Sequence, residues 1–242
     1  MSELINLSDI HFAYPERSDI LKGIALQLDE GERLCITGHN GAGKSTLLHI
    51  LVGLLKPQRG TVMAFGKERS EENHFHDVRR LAGLVFQDPD DQLFCPTVAE
   101  DIAFGPLNMG KSRDEAMAIV DAVLTQLSLY PLRDRITHKL SGGEKRMVAL
   151  ATVLAMEPKV LLLDEPTNAV DEPTTELLVE TLLTLPQAMI VISHDPHFRR
   201  RIATRTVRMV DGHLERPHPR CTHSQELTFG DDVTPLPRRG LG

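Results

Sequence analysis

One nine-residue stretch limits this chain more than any other: Gly38-His39-Asn40-Gly41-Ala42-Gly43-Lys44-Ser45-Thr46. It matches G-x-x-x-x-G-K-[ST]. The preceding residues 32–37 read as a short buried strand and residues 46–52 as a mostly apolar helix, which is the strand, loop and helix context the pattern requires. Glycines at 38, 41 and 43 let the backbone turn tightly and approach an anion, with successive N–H groups and a helix N-terminus aimed at a polyphosphate. Lys44 then reaches the β- and γ-phosphates, and the Ser45 hydroxyl holds Mg²⁺. The loop predicts a nucleoside triphosphate site without saying what the nucleotide drives.

The rest of the composition narrows the class. At 242 residues and 41% hydrophobic content, the chain can bury a full core as one large domain or a domain with an inserted lobe. No apolar run approaches the roughly 20 residues that cross a bilayer. Met1 to Leu4 carry no basic-then-apolar signal, so the expectation is a cytosolic protein that reaches a membrane only through a partner. Cysteines 35, 95 and 221 lack metal or disulfide spacing, which suits a reducing compartment. A formal charge of −7, no Trp and two Tyr argue against a nucleic-acid partner.

Along the chain, residues 4–14 and 20–28 read as two strands around a turn at 15–19, an antiparallel β layer ahead of the phosphate loop. Strands follow at 61–65 and 81–86. Three capping boxes, Thr97 with Glu100, Ser112 with Glu115 and Ser141 with Glu144, each open a helical run. Residues 87–156 therefore read as an α-helical subdomain inserted into an α/β core of 1–86 and 157–216. The core resumes with strands at 159–164 and 188–193, joined by a Leu-rich helix after 171–173, and closes with a hairpin across Asp211-Gly212. Residues 217–242, rich in Pro, Gly and Arg, read as a disordered tail. His74 and His76 read as part of a solvated loop rather than a metal site, because no Cys or carboxylate constellation accompanies them.

A second site is expected where Leu161-Leu162-Leu163 ends in two carboxylates. Asp164 suits the metal side, through a coordinated water, and Glu165 suits a general base for an attacking water. Leu140-Ser141-Gly142-Gly143-Glu144, lying between the phosphate loop and these carboxylates, resembles the signature of ATP-binding cassette (ABC) ATPases, a P-loop NTPase family. Gln87 resembles the family's Q-loop glutamine and a further Mg²⁺ ligand, Asp171 in Asn168-Ala169-Val170-Asp171 its D-loop, His194 its switch histidine, and Tyr14 the aromatic that stacks on adenine. The resemblance spans residues 3–215. It implies ATP and Mg²⁺ as cofactors, with catalysis by Glu165, His194 and Gln87. It also implies a head-to-tail dimer in which Ser141, Gly142, Gly143 and Glu144 of one copy close on the nucleotide of the other.

The stretch from Val85 to Gly110, with Gln87-Asp88-Pro89-Asp90-Asp91-Gln92-Leu93-Phe94, resembles the ATPase of energy-coupling factor (ECF) importers, the cobalt/nickel type in particular. That implies a peripheral protein on the cytoplasmic face of the membrane, docked near 87–105 to a transmembrane scaffold that works with a substrate-capture subunit. An importer for biotin, another vitamin or a binding-protein-delivered cargo, and a soluble non-transport ABC protein, are the alternatives. The chain stops soon after its last strand, without the C-terminal helical segment of longer vitamin-type paralogues, and this favours a homodimer held mainly by ATP. Glu144 stands where many cassettes carry Gln; it is expected to fold back on the Ser141 amide, which limits its repulsion of a bound phosphate.

Overall fold

The computed structural model describes residues 2–15 and 19–215. The tail expected at 217–242 lies outside the described residues, as does Cys221.

Two sheets carry the core. The first is antiparallel, with β1 (Glu3–Phe12) between β2 (Leu21–Asp29) and β4 (Arg59–Ala64), and the two-residue β5 (Lys67–Glu68) at its edge. The apolar run 4–7 and residues 10–12 belong to one strand interrupted at Asp9, and Ala13 and Tyr14 lie beyond its end. Asp9 has φ 53°, and the register with β2 shifts between Leu7 and Ile10, so a bulge returns Ile10 to the buried face beside Ile5 and Leu7.

The second sheet orders its strands β10-β9-β3-β8-β7-β6. These are β3 (Arg33–Thr37), β6 (Ala82–Val85), β7 (Val160–Asp164), β8 (Ala188–Ile192), β9 (Arg205–Val210) and β10 (His213–Glu215). All pairings from β9 to β6 are parallel, and only the β9–β10 hairpin is antiparallel. Parallel strands buried on both faces need continuous apolar runs, and β7 and β8 are buried at every position. The two faces feed separate cores. Val160 and Leu162 join the antiparallel sheet and α1 (Lys44–Leu51), while Leu161 and Leu163 join the helices inserted after β6.

Those helices are α3 (Val98–Asn108), α4 (Arg113–Gln126) and α5 (Gly142–Leu154). All three capping boxes read from the sequence are formed. In the third, the Glu144 carboxylate accepts from the Ser141 N–H at 2.7 Å while Ser141 Oγ accepts from the Glu144 N–H at 3.2 Å. Helix α6 (Glu172–Thr184) follows Asp171, whose carboxylate caps it by accepting from Thr174 N–H at 2.9 Å.

Two helices depart from the sequence reading. His74 and His76 sit on α2 (Glu72–Leu81), not in a loop; only Phe75 and Val78 of that helix are buried, so its apolar stripe is a single i, i+3 pair. The other, α7 (Pro196–Ile202), is one capped segment behind Asp195, with Pro at its first position and Phe198 and Ile202 buried. No helix of the described residues is long and apolar enough to cross a membrane.

Candidate nucleotide site

The carboxyl ends of β3, β7 and β8 meet at one edge of the parallel sheet, and the loops leaving them build a cavity of about 660 Å³. From β3 comes the phosphate loop. Gly38 is obligatory there, because a Cβ would lie 2.3 Å from the Met209 carbonyl oxygen of β9. Gly43 takes φ 103° at the N-cap of α1, which has no capping side chain and no acidic residue in its first turn. The first amides of α1 are therefore free of protein side chains and electropositive, an arrangement suited to phosphate. Asn40, Gly41, Gly43, Lys44, Ser45 and Thr46 line the cavity.

Lys44 is buried, and its ammonium donates to the carbonyls of Gly38 at 2.8 Å and His39 at 3.1 Å. Burial pulls its pKa down, and the nearby carboxylates of Glu165 and Asp164 work against that pull.

The end of β7 brings both carboxylates to the cavity wall. Asp164 is 5% exposed, with Oδ1 lacking a partner among the described residues. Burial raises its pKa, opposed by the Ser45 hydroxyl and by the charges of His49, Lys44 and Arg146. Glu165 has φ 46°, a costly conformation for a residue with a Cβ, and its backbone N–H is tied to Ile192 O of β8 at 3.0 Å. Its Oε2 accepts from the His194 N–H at 3.2 Å, and its Oε1 lies 3.1 Å from His194 Nε2. Gln87, just beyond β6, is exposed and lines the same cavity.

Tyr14 lines the cavity from the antiparallel sheet. Its hydroxyl lies 3.3 Å from Thr46 Oγ1, and its ring packs edge-on against Phe12 with centroids 5.0 Å apart.

Not every residue singled out from the sequence joins them. Ala42 is buried beneath the loop, and Asp171 faces solvent as the cap of α6. Ser141 and Gly142 are exposed, and none of Ser141, Gly142, Gly143 and Glu144 lines the cavity. Gly142 borders a neighbouring cleft of about 520 Å³ that shares Ser45, Gln87 and Asp164 with the first. Asn168, expected within the D-loop stretch, is on the cavity wall; the sequence reading assigned no role to Ile20 and Asp195 there, or to the buried Arg146 behind it. Asp195 was legible as the neighbour of His194, whereas Ile20 carries no local signal.

Residues 21–168 match the family described as ABC transporter. A putative ABC transporter ATP-binding protein of Nitratidesulfovibrio vulgaris is 46% identical over 93% of this chain and 85% of its own length. The energy-coupling factor transporter ATP-binding protein EcfA of Methanothermobacter thermautotrophicus is 40% identical over 87% of this chain and 69% of its own. Among solved structures, cbiO1 of Clostridium perfringens, described as part of the ABC transporter complex cbiONQ, aligns with TM-score 0.79 and 36% identity over 89% of this chain and 88% of its own.

Proposed function

This chain belongs to the ABC transporter family as an ATP-binding subunit with ATPase activity, and from that premise we propose that it drives an ECF-type importer of cobalt or nickel ions as an ATP-closed homodimer. One observation carries the dimer. The cavity gathers Lys44, Ser45, Gln87, Asp164, Glu165 and His194 in one copy, while Ser141 and Gly142, at the start of α5, are exposed outside it. A helix N-terminus with glycines in its first turn is a ready anion site, and it complements a phosphate held in a second copy.

Mg²⁺ fits the oxygen donors present: the Ser45 hydroxyl, the Gln87 amide oxygen and the Asp164 carboxylate, whose orphaned Oδ1 is otherwise costly to bury. Ser45, Gln87 and Asp164 would hold the ion, which when bound would supply positive charge against the negative charge building on the transferring phosphoryl group. The chain's own groups do the rest. Lys44 exchanges its carbonyl partners for phosphate oxygens, Glu165 takes the proton of the attacking water, His194 holds Glu165 in place, and Tyr14 supplies a face for the base.

The membrane partner is assigned to the 87–105 surface. A groove of about 270 Å³ runs beneath Phe94 and Phe104, and these two, with Leu54, are 65%, 45% and 52% exposed. The rings of Phe94 and Phe104 pack edge to face at 4.8 Å, and exposed aromatics clustered on a groove mark a binding surface. No helix of the described residues is long and apolar enough to cross a membrane; docking at this surface is what would hold the protein at the cytoplasmic face. The choice of cobalt or nickel rests on the resemblance of residues 85–110, since the ion itself never meets this chain.

Co-expression with candidate scaffold and capture subunits tests the reading. It predicts a detergent-stable complex and ATP-dependent cobalt or nickel uptake that Phe94→Asp abolishes. A stable complex that imports biotin and neither metal would overturn the cargo. A protein that hydrolyses ATP yet captures no transmembrane partner would overturn the transport role.

A further inference from the structure

Two side chains hold three backbone groups of the Phe86 and Gln87 residues. Gln92 Oε1 accepts from the Phe86 N–H at 3.1 Å, and the Gln92 amide donates to Ala149 O and Thr152 Oγ1 of α5, both at 2.8 Å. From α5 itself, one terminal nitrogen of Arg146 donates to the carbonyls of Phe86 at 3.3 Å and Gln87 at 2.5 Å. Its other terminal nitrogen donates to the Asn168 carbonyl at 3.1 Å. Arg146 is 5% exposed and makes no ion pair among the described residues; its surroundings are carbonyls, with Asp88 and Asp164 acting from farther off.

A guanidinium buried without a carboxylate is costly unless its donors are used; both terminal nitrogens are used here, while Nε has no partner among the described residues, so the two terminal nitrogens fix the position of the group. Those partners are the backbone of Gln87 and the backbone of Asn168, both on the cavity wall. Arg146 also stands one helical turn beyond Gly142, on the helix whose first residues are Gly142 and Gly143. We propose that Arg146 is a positioning residue that couples the N-terminus of α5 to the placement of Gln87 and the Asn168 loop. When Ser141 to Gly143 shift to meet a nucleotide, the rigid first turns of α5 carry Arg146 with them, and the two carbonyl-bound segments must follow. Gln92 secures the preceding peptide by accepting from the Phe86 N–H. The inference rests on the site roles proposed above. A lysine cannot replace the arginine, because one ammonium does not present the planar fork that spans two loops.

The test compares full-length wild-type protein with Arg146→Lys, reading melting temperature, Mg²⁺-free ATP binding, the Mg²⁺ concentration at half-maximal tightening of ATP binding, and kcat. Arg146→Lys is expected to keep Mg²⁺-free ATP affinity within about threefold, to raise the half-saturating Mg²⁺ at least about fivefold, and to lower kcat by roughly tenfold or more, the split expected when positioning alone is lost. Gln92→Leu is expected to move the Mg²⁺ requirement in the same direction by a smaller factor, and it carries the test if Arg146→Lys fails to fold. Unchanged Mg²⁺ requirement and kcat in a folded variant would overturn the proposal. So would parallel loss of melting temperature and Mg²⁺-free ATP binding in both variants, the mark of a purely structural role. The wild-type Mg²⁺-ATPase, measured alongside, reports on the proposed site and not on Arg146.

Discussion

Lys44 Nζ lies 3.1 Å from His194 Nε2, joining the first residue of α1 to the loop after β8 across 150 residues of sequence. The same imidazole nitrogen lies 3.1 Å from Glu165 Oε1. It cannot serve both. Accepting from an ammonium requires a free lone pair on Nε2, whereas donating to a carboxylate requires a proton there. Drawing Lys44 onto phosphate therefore releases His194 to bond Glu165. His194→Ala is expected to leave ATP binding equal to wild type or a few-fold tighter, since a competing acceptor for Lys44 is gone, while kcat falls about 10²-fold with the loss of Glu165's orientation. Equilibrium ATP binding and steady-state turnover check this pair of effects.

Glu144 closes its capping box within one subunit, its carboxylate on the Ser141 N–H at 2.7 Å. A glutamine can make the same bond without the negative charge, which lies at a helix N-terminus proposed to meet phosphate. Glu144→Gln should keep ATPase activity within about threefold of wild type or raise it. A collapse of activity would mean the carboxylate has a role of its own.

Asp164 is buried at the end of β7, and burial raises its pKa despite the Ser45 hydroxyl and the nearby charges of Lys44 and Arg146. An acid whose folded pKa is raised costs stability once pH climbs above its unfolded value near 3.9, and not below it. At pH 7 without nucleotide, Asp164→Asn should therefore gain stability, read as a raised melting temperature, while losing Mg²⁺-dependent turnover. Calorimetric melting of the nucleotide-free proteins decides the sign.

Gly83 of β6 leaves no room against α5: a Cβ would sit 2.1 Å from Val153 Cγ1. Gly83→Ala should cost about 1–3 kcal/mol through overpacking, read as a lowered melting temperature. Adding Val153→Ala should recover part of the loss, because it removes the clashing methyl.

Much of this architecture was legible because its signals are local. The phosphate loop, three capping boxes, the apolar runs of β7 and β8 and the Asp211-Gly212 turn each lie within a few residues, and the structure has all of them. Helices α2 and α7 were not legible. Each buries only two large apolar side chains, too few to set a 3.6-residue period against polar neighbours. Arg146 was hidden for a different reason: an arginine in the first turns of a charged helix start reads as solvated, and only the fold places three carbonyls around it. The sequence order of Lys44, Glu165 and His194 suggested one site, but the shared imidazole nitrogen is a product of the β7–β8 pairing that brings the strand ends together.

A second copy of this chain is proposed to complete the nucleotide site. Glu165→Gln should bind ATP and Mg²⁺ with turnover reduced about 10²–10⁴-fold, so the closed form accumulates. Light scattering after size exclusion should then show the 26.9 kDa chain at about twice that mass with ATP and Mg²⁺, returning to monomer with ADP or when Ser141→Arg blocks the signature segment. A folded, ATP-bound Glu165→Gln protein that stays monomeric under these conditions would contradict the claim.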